Sequence, residues 1–263
     1  MVAPDKAILV IAAYNEEKNI GYILSQAAML KSCGMISEFV VVDDGSQDST
    51  SRVASEGGAA VIRIAENKGK GNAVLQGLLY CKNEGAQIAI LADADTLSGV
   101  TQKQVAYLLD ELKEHPSMPK TMMAVYPQSW IERDIGGKLQ TTQEFSGFRA
   151  LRVEGLNFLF ASDGNWWKFA ETPAAKWFIA NAQEYRLETE LNRWFRKRTS
   201  LLSAVDASIE TLPFGRGNDD LKRKIRSHIR DCTEKNDMWG YNLLVVNTQR
   251  KGLLAGQKIA AVF

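Results

Sequence analysis

The first 93 residues alternate between short apolar runs and segments with helical periodicity, and this alternation limits the fold to few architectures. Apolar runs at 7–13, 38–43, 61–65 and 88–93 predict strands, while 16–30 and 71–82 carry apolar residues spaced along one helical face. Strands that alternate with helices form a mainly parallel sheet with right-handed crossovers. The sequence therefore predicts an α/β protein with a Rossmann-like sheet.

Polar clusters follow three of the predicted strands. They are Tyr14-Asn15-Glu16, Asp43-Asp44-Gly45-Ser46 and Asp93-Ala94-Asp95. Ligands of parallel sheets bind at the carboxyl ends of the strands, so we expect the clusters to share one edge. Asp93 and Asp95 can hold Mg²⁺ or Mn²⁺ if phosphate oxygens and water complete the coordination. The same spacing also occurs in solvated turns, so the pair alone leaves both interpretations open.

Two further features of the first half suit a nucleoside diphosphate. Lys68 and Lys70 lie with two glycines between a strand and a helix, where backbone N–H groups, the helix dipole and an ammonium favour phosphate. Asp44 offers a carboxylate that can accept a hydrogen bond from a nucleobase N–H. The alternatives are a solvated lysine loop and a turn in which Ser46, Asp48 and Ser49 cap a helix.

Composition narrows the class of protein. The chain has 263 residues, 45% of them hydrophobic, and a net charge of +1, which argues against general nucleic-acid binding. No apolar run approaches the roughly 18 residues of a membrane span, and the first residues lack signal-peptide features. Three scattered cysteines predict neither disulfides nor a zinc site. We expect a cytoplasmic protein.

The second half, 101–263, is predicted to be a smaller mixed sheet with helices on the acceptor side. A helix at 185–195 places Glu188 and Glu190 on opposite flanks of its apolar stripe, and one of them could deprotonate an acceptor hydroxyl. A surface helix with Glu–Arg pairs is the alternative. Arg149 and Arg152 are candidates for binding an acceptor phosphate, since a guanidinium offers several donors.

Other residues of the second half allow two interpretations each. The helix predicted at 218–230 is basic and amphipathic, compatible with peripheral contact to an anionic membrane or with a solvated surface. His228 could join a metal site in space. A sugar-stacking platform could include some of the tryptophans, although each is more typical of a core: Trp130, Trp166, Trp167, Trp177 and Trp239.

The order and spacing of the motifs resemble the family 2 glycosyltransferases, which have the GT-A fold. The resemblance rests on the runs 11–17, 40–50 and 67–73 and on Asp93-Ala94-Asp95, and the segment 146–152 is similar to the dolichyl-phosphate mannose synthase-like branch. Ala12 stands where the family usually has proline. Thr96-Leu97 stands where that branch usually has Leu-Gln.

The resemblance implies roles for individual residues. The donor half, 1–100, would bind a nucleotide sugar, with Asp93 beside the ribose or a metal-bound water and Asp95 as the direct ligand of Mg²⁺ or Mn²⁺. The acceptor half, 101–263, would contribute Glu188, Glu190 and Arg149. The remaining donor-site residues are Ala12, Tyr14, Glu16, Asp44, Lys68 and Lys70.

The implied reaction is metal-dependent, inverting transfer of a sugar from a UDP- or GDP-sugar to an acceptor. The acceptor would be a hydroxyl of a sugar or small molecule, or a polyprenyl phosphate, which is already an anion and needs no base. A non-catalytic nucleotide-sugar-binding or regulatory protein is the alternative. The first strand is not followed by GxGxxG, which argues against a dehydrogenase. A glycine-rich loop with arginine, expected of a nucleotidyltransferase, is also absent there.

Overall fold

The computed structural model describes residues 5–95, 100–114, 122–126, 131–133, 139–141, 148–183, 186–196 and 204–206. Within these residues seven strands form one sheet in the order β11-β5-β8-β4-β1-β2-β3. Their bounds are β1 Ala7–Ala13, β2 Glu38–Asp43, β3 Ala60–Arg63, β4 Ile88–Asp93, β5 Met122–Tyr126, β8 Arg149–Arg152 and β11 Ala204–Asp206. Two hairpins complete the strands: β6 Ile131–Arg133 with β7 Leu139–Thr141, and β9 Phe160–Ser162 with β10 Trp167–Phe169.

Helices cover both faces of the sheet. Their bounds are α1 Ile20–Ser32, α2 Thr50–Glu56, α3 Lys70–Asn83, α4 Gln102–Glu114, α5 Pro173–Asn181 and α6 Leu187–Arg196, with a 3₁₀ segment at Val153–Leu159. One core joins the sheet to α1 and α4, and the other joins it to α3, the 3₁₀ segment, α5 and α6. β1 is apolar along its whole length, and the interiors of β2 and β4 are apolar as well, because both faces of these strands are buried.

The predicted alternation in the first half is confirmed. β1 pairs in parallel with β2 and β4, and β2 pairs in parallel with β3. β3 occupies Ala60–Arg63 rather than 61–65. The first helix begins at Ile20 rather than at residue 16. In the segment before it, the backbone N–H groups of Glu16 and Glu17 donate to the side chains of Thr50 and Asp48.

Strands from both halves of the chain form the same sheet. β8 lies antiparallel between β4 and β5, while β11 pairs in parallel with β5. The predicted α/β fold with a mainly parallel sheet and a mixed region is therefore confirmed. The functional division near residue 100 stays a prediction. Among the described residues no helix combines the length and hydrophobicity that crossing a membrane requires.

Candidate functional site

The loops after β1 and β2 are locked together at the carboxyl edge of the sheet. Asn15 adopts a left-handed conformation with φ 54°, which asparagine tolerates better than most residues. Its N–H donates to Ser46 Oγ at 2.9 Å, and its own Oδ1 accepts from the N–H of Gln47 at 2.9 Å. The N–H of Glu16 donates to Thr50 Oγ1 at 2.8 Å. Two of the predicted polar clusters thus form one rigid unit.

Helix capping differs from the sequence prediction. Ser49 is the N-cap of α2 but makes no side-chain capping bond. Asp48 Oδ1 instead accepts from the N–H of Thr50 at 2.9 Å, which confirms only the aspartate among the predicted caps. Ser46 is used in the bond from Asn15, so its predicted capping role is wrong.

Tyr14 and Glu16 both lie at this edge. Tyr14 is half-buried directly after β1. Glu16 is only 8% exposed, and its carboxylate accepts a hydrogen bond from Asn19 Nδ2 at 2.8 Å. Their contacts with a nucleoside stay predictions.

Asp44 anchors the lysine loop. Its Oδ1 accepts from the N–H of Lys68 at 2.9 Å, and its Oδ2 accepts from the N–H of Gly69 at 2.7 Å. Burial raises the pKa of Asp44, and these two bonds partly oppose that effect. An ionised carboxylate has further lone pairs, so the predicted bond to a nucleobase stays compatible with this geometry.

The lysine loop also packs closely on the turn after β2. Gly45 has φ +76°, and a Cβ there would lie 2.8 Å from the backbone nitrogen of Asn67. Both the backbone conformation and the close approach require glycine at this position. Lys68 itself is exposed. Its exposure is compatible with both a phosphate-binding loop and a solvated loop.

Lys70 connects the two halves of the chain. Its Nζ lies 2.8 Å from Asp93 Oδ1, 3.0 Å from Asp93 Oδ2 and 2.5 Å from Glu188 Oε1. Burial lowers the pKa of Lys70, but the two carboxylates raise it more, so the net shift is upward. The ammonium is therefore charged and lies between two acidic groups.

A glycine allows α3 and the acceptor side to approach. A Cβ on Gly71 would lie 1.9 Å from the carbonyl oxygen of Ala182, the C-cap residue of α5. In α6, Trp194 Nε1 donates to the carbonyl oxygen of Gly155 at 3.0 Å, and its ring stacks on Phe158. The contacts of Trp194 hold α6, which carries Glu188, against the 3₁₀ segment.

The acidic pair continues from β4. In the sheet register Ala12 lies opposite Asp93, and the N–H of Ala94 donates to the carbonyl oxygen of Ala12 at 3.1 Å. Asp95 follows the strand and is half-buried. Ala12 therefore lies beside the acidic motif, and its predicted role in donor binding stays a prediction.

The donor set fits a cation held together with a diphosphate. Within the described ranges no three acidic, histidine or cysteine side chains cluster as a complete metal site. Two carboxylates suffice for Mg²⁺ or Mn²⁺ when phosphate oxygens and water supply the other ligands. Both oxygens of Asp93 face Lys70, and the assignment of Asp95 as the direct metal ligand stays a prediction.

The two arginine candidates lie at opposite ends of β8. Arg149 pairs in register with Leu91, two residues before Asp93, and it is buried on the same sheet face. Arg152 pairs with Ile88 at the amino end of β4, where it donates to the carbonyl oxygen of Leu112. The prediction that Arg152 binds an acceptor phosphate at this site is therefore wrong.

Glu188 and Glu190 are 5% and 1% exposed. The surface location in the alternative interpretation is therefore wrong, and both side chains face the interior. Glu188 contacts Lys70, as described above. Whether either carboxylate acts as a base stays a prediction.

The tryptophans differ from the core prediction. Trp166 and Trp177 are 64% and 54% exposed, and Trp167 is 36% exposed. Trp167 lies against Lys82 and Asn83 at the end of α3 opposite Lys70, about 20 Å along the helix. This position does not suit a sugar-stacking platform at the acidic edge. Trp130, Trp239, the helix predicted at 218–230 and His228 lie outside the described residues.

Sequence reasoning missed the contact between Lys70 and Glu188, and the packing of Gly71 on Ala182. The available signal was the Gly69-Lys70-Gly71 triplet, since glycines on both sides of a lysine indicate close approach of another backbone. The partner was not readable, because 118 residues separate Lys70 from Glu188.

A mainly parallel sheet with polar loops at its carboxyl edge is the arrangement in which α/β proteins bind their ligands. Comparison with known proteins is more specific. The model of glycosyl transferase family 2 matches residues 8–170, and the chain belongs to that family.

Relatives agree with this assignment. Dolichyl-phosphate beta-glucosyltransferase of Mus musculus is 30% identical over 173 residues, covering 60% of this chain and 50% of the relative. UDP-N-acetylglucosamine--dolichyl-phosphate N-acetylglucosaminyltransferase of Methanococcus voltae is 32% identical over 188 residues, covering 59% and 73%. The resemblance to the dolichyl-phosphate sugar transferase branch is thus confirmed. The chain spans about half the length of the first curated relatives that it matches.

Solved structures agree on the fold. Glucosyl-3-phosphoglycerate synthase of Mycobacterium tuberculosis, solved with Mn²⁺ and UDP-glucose, has a TM-score of 0.59 at 19% identity. The match covers 88% of this chain and 80% of the synthase. The predicted GT-A fold is confirmed.

Proposed function

We propose that this chain is a nucleotide-sugar-dependent glycosyltransferase whose donor is a UDP- or GDP-sugar. The contact of Lys70 with both Asp93 and Glu188 carries the proposal, because it brings the acidic motif of the donor half against the acceptor-side helix. The family membership and the UDP-glucose complex of the structural neighbour support the donor class.

The transfer breaks the bond between sugar C1 and the β-phosphate oxygen and forms a bond from C1 to an acceptor oxygen. The family resemblance implies a single displacement with inversion. Asp95, with Asp93, would hold Mg²⁺ or Mn²⁺, which as a Lewis acid stabilises the charge of the departing diphosphate. The Mn²⁺ in the neighbour's complex is consistent with this assignment.

For the acceptor we propose a polyprenyl phosphate, supported by the dolichyl-phosphate acceptors in the names of two relatives. A phosphate oxygen is already anionic and needs no base. Arg149, buried on the same sheet face as Asp93, is the proposed contact for the acceptor phosphate. Access to such a lipid would require peripheral contact with a membrane.

The proposal can be tested with the purified chain, Mn²⁺ and dolichyl phosphate. The donor is UDP-glucose, UDP-N-acetylglucosamine or GDP-mannose, each in a separate reaction. We expect release of nucleoside diphosphate and a glycosylated lipid, both abolished in Asp95→Asn. Turnover on a hydroxyl acceptor, but not on dolichyl phosphate, would overturn the acceptor assignment. Binding of a nucleotide sugar without turnover on any acceptor would favour a non-catalytic regulatory protein instead.

A further inference from the structure

The ammonium of Lys70 is placed by contacts on both sides. On the donor side, Asp44 binds the backbone of Lys68 and Gly69 just before it. On the acceptor side, Gly71 packs on the carbonyl oxygen of Ala182 just after it. The stem of Lys70 therefore starts from a fixed backbone, and its charged end reaches two carboxylates from different elements.

The charges at this point are unequal. The side chains of Lys70, Asp93 and Glu188 are 20%, 31% and 7% exposed, so all three are largely shielded from water. Two carboxylates share one ammonium within 3 Å. Lys70 reduces the negative charge at the edge where an anionic diphosphate is proposed to bind, and like charges repel strongly in such surroundings.

One oxygen of Glu188 is directed at the lysine. Glu188 Oε1 lies 2.5 Å from Lys70 Nζ. Glu188 is only 5% exposed, so this contact is shielded from water. The contact therefore suits a group that fixes the position of the ammonium.

We propose that Glu188 is a positioning residue that acts through Lys70, an inference that rests on the proposed function. It holds the ammonium beside Asp93, where the diphosphate of the donor binds. Glu188 thereby links the acceptor-side helix to the donor site. A base would affect only the step that involves the acceptor, whereas this role affects nucleotide binding when no acceptor is present.

A double-mutant cycle on nucleotide binding tests this role. The dissociation constants of UDP and GDP with Mn²⁺ are measured by calorimetry, without acceptor, for wild type, Lys70→Met, Glu188→Gln and the double variant. We expect Lys70→Met to weaken binding at least tenfold in the wild type. In the Glu188→Gln background we expect Lys70→Met to weaken binding threefold or less, because one negative charge fewer then lies beside the diphosphate. Equal losses in both backgrounds would overturn the proposal.

Turnover gives a second readout. If Glu188 acts through Lys70, Glu188→Gln lowers kcat/KM in the wild type but lowers it little further in the Lys70→Met background. A base would instead give multiplying losses, with the nucleotide dissociation constant unchanged in Glu188→Gln. If Lys70→Met fails to melt cooperatively, Lys70→Gln replaces it, because an amide retains N–H donors at this position.

The exposed pair of Lys176 and Glu171 is the matched control, with a 2.7 Å contact in solvent and no link to the acidic edge. Its variants Lys176→Met and Glu171→Gln should leave nucleotide affinity unchanged, singly and together. The two proposals also fail separately. Coupled nucleotide binding without turnover would sink the enzyme assignment only, whereas turnover with additive binding losses would sink only the role of Glu188.

Discussion

Replacing Gly71 by alanine tests the packing that joins the two halves of the site. The added Cβ would lie 1.9 Å from the carbonyl oxygen of Ala182 and 2.9 Å from its carbonyl carbon. Ordinary contacts begin near 3.5 Å, so one of the two backbones must move by about 1.5 Å. Neither is the flexible end of a side chain. Overpacking of this kind costs about 1–3 kcal/mol.

The same substitution has the opposite expected effect at Gly21 in α1. No heavy atom lies within 4 Å of a Cβ built there, so alanine meets open space. Alanine in a helix is more favourable than glycine by about 0.5–1 kcal/mol. Gly21→Ala is therefore a matched control that separates helix propensity from packing.

Thermal and urea unfolding followed by circular dichroism measures both variants. A change of 1 kcal/mol corresponds to about 2–4 °C for a chain of this size. We expect Gly71→Ala to melt below the wild type and Gly21→Ala to melt at or above it. The displacement should also lengthen the contact between Lys70 and Glu188 and weaken nucleotide binding. If Gly71→Ala were stabilised as much as Gly21→Ala, the close approach of α3 to Ala182 would be refuted.

Three further substitutions test separate contacts. Asp44→Asn should reduce the pH dependence of the free energy of unfolding. Burial raises the pKa of Asp44 above its ordinary 3.8. The contribution of Asp44 to stability is therefore full below pH 3.8 and is lost as the pH rises through the raised value. Urea unfolding at pH 4 to 7 should thus show the variant gaining on the wild type with pH, and a constant difference would contradict this. Tyr80→Phe removes the 3.0 Å bond to Glu38 and should cost about 0.5–1.5 kcal/mol by denaturation, whereas an unchanged midpoint would exclude a stabilising bond. Trp194→Phe keeps an aromatic ring but loses the hydrogen bond to Gly155. It should lower the free energy of unfolding modestly and weaken nucleotide binding through α6. Unaltered stability would show that this bond does not anchor α6.

Local pattern predicted much of the fold and the edge of the site. β1, β2 and β4 were predictable because their apolar runs are buried on both faces and end in polar clusters. The start of α1 was predicted at residue 16 and lies at Ile20. Before it, the N–H groups of Glu16 and Glu17 donate to Thr50 and Asp48, more than 30 residues away. Helical periodicity reports which face is buried and does not report such long-range bonds.

The sequence by itself determined an α/β sheet of the glycosyl transferase family 2 kind, with Asp93 and Asp95 at the carboxyl end of a strand. Strand order, apolar periodicity and motif spacing suffice for that, since they are local properties of the chain. Only the tertiary structure decided that Asp44 binds the lysine loop, that Arg152 lies at the opposite end of β8, and that Lys70 joins Asp93 to Glu188. Those outcomes depend on which backbones approach closely in space, as Gly71 and Ala182 do, and no local pattern encodes the partner.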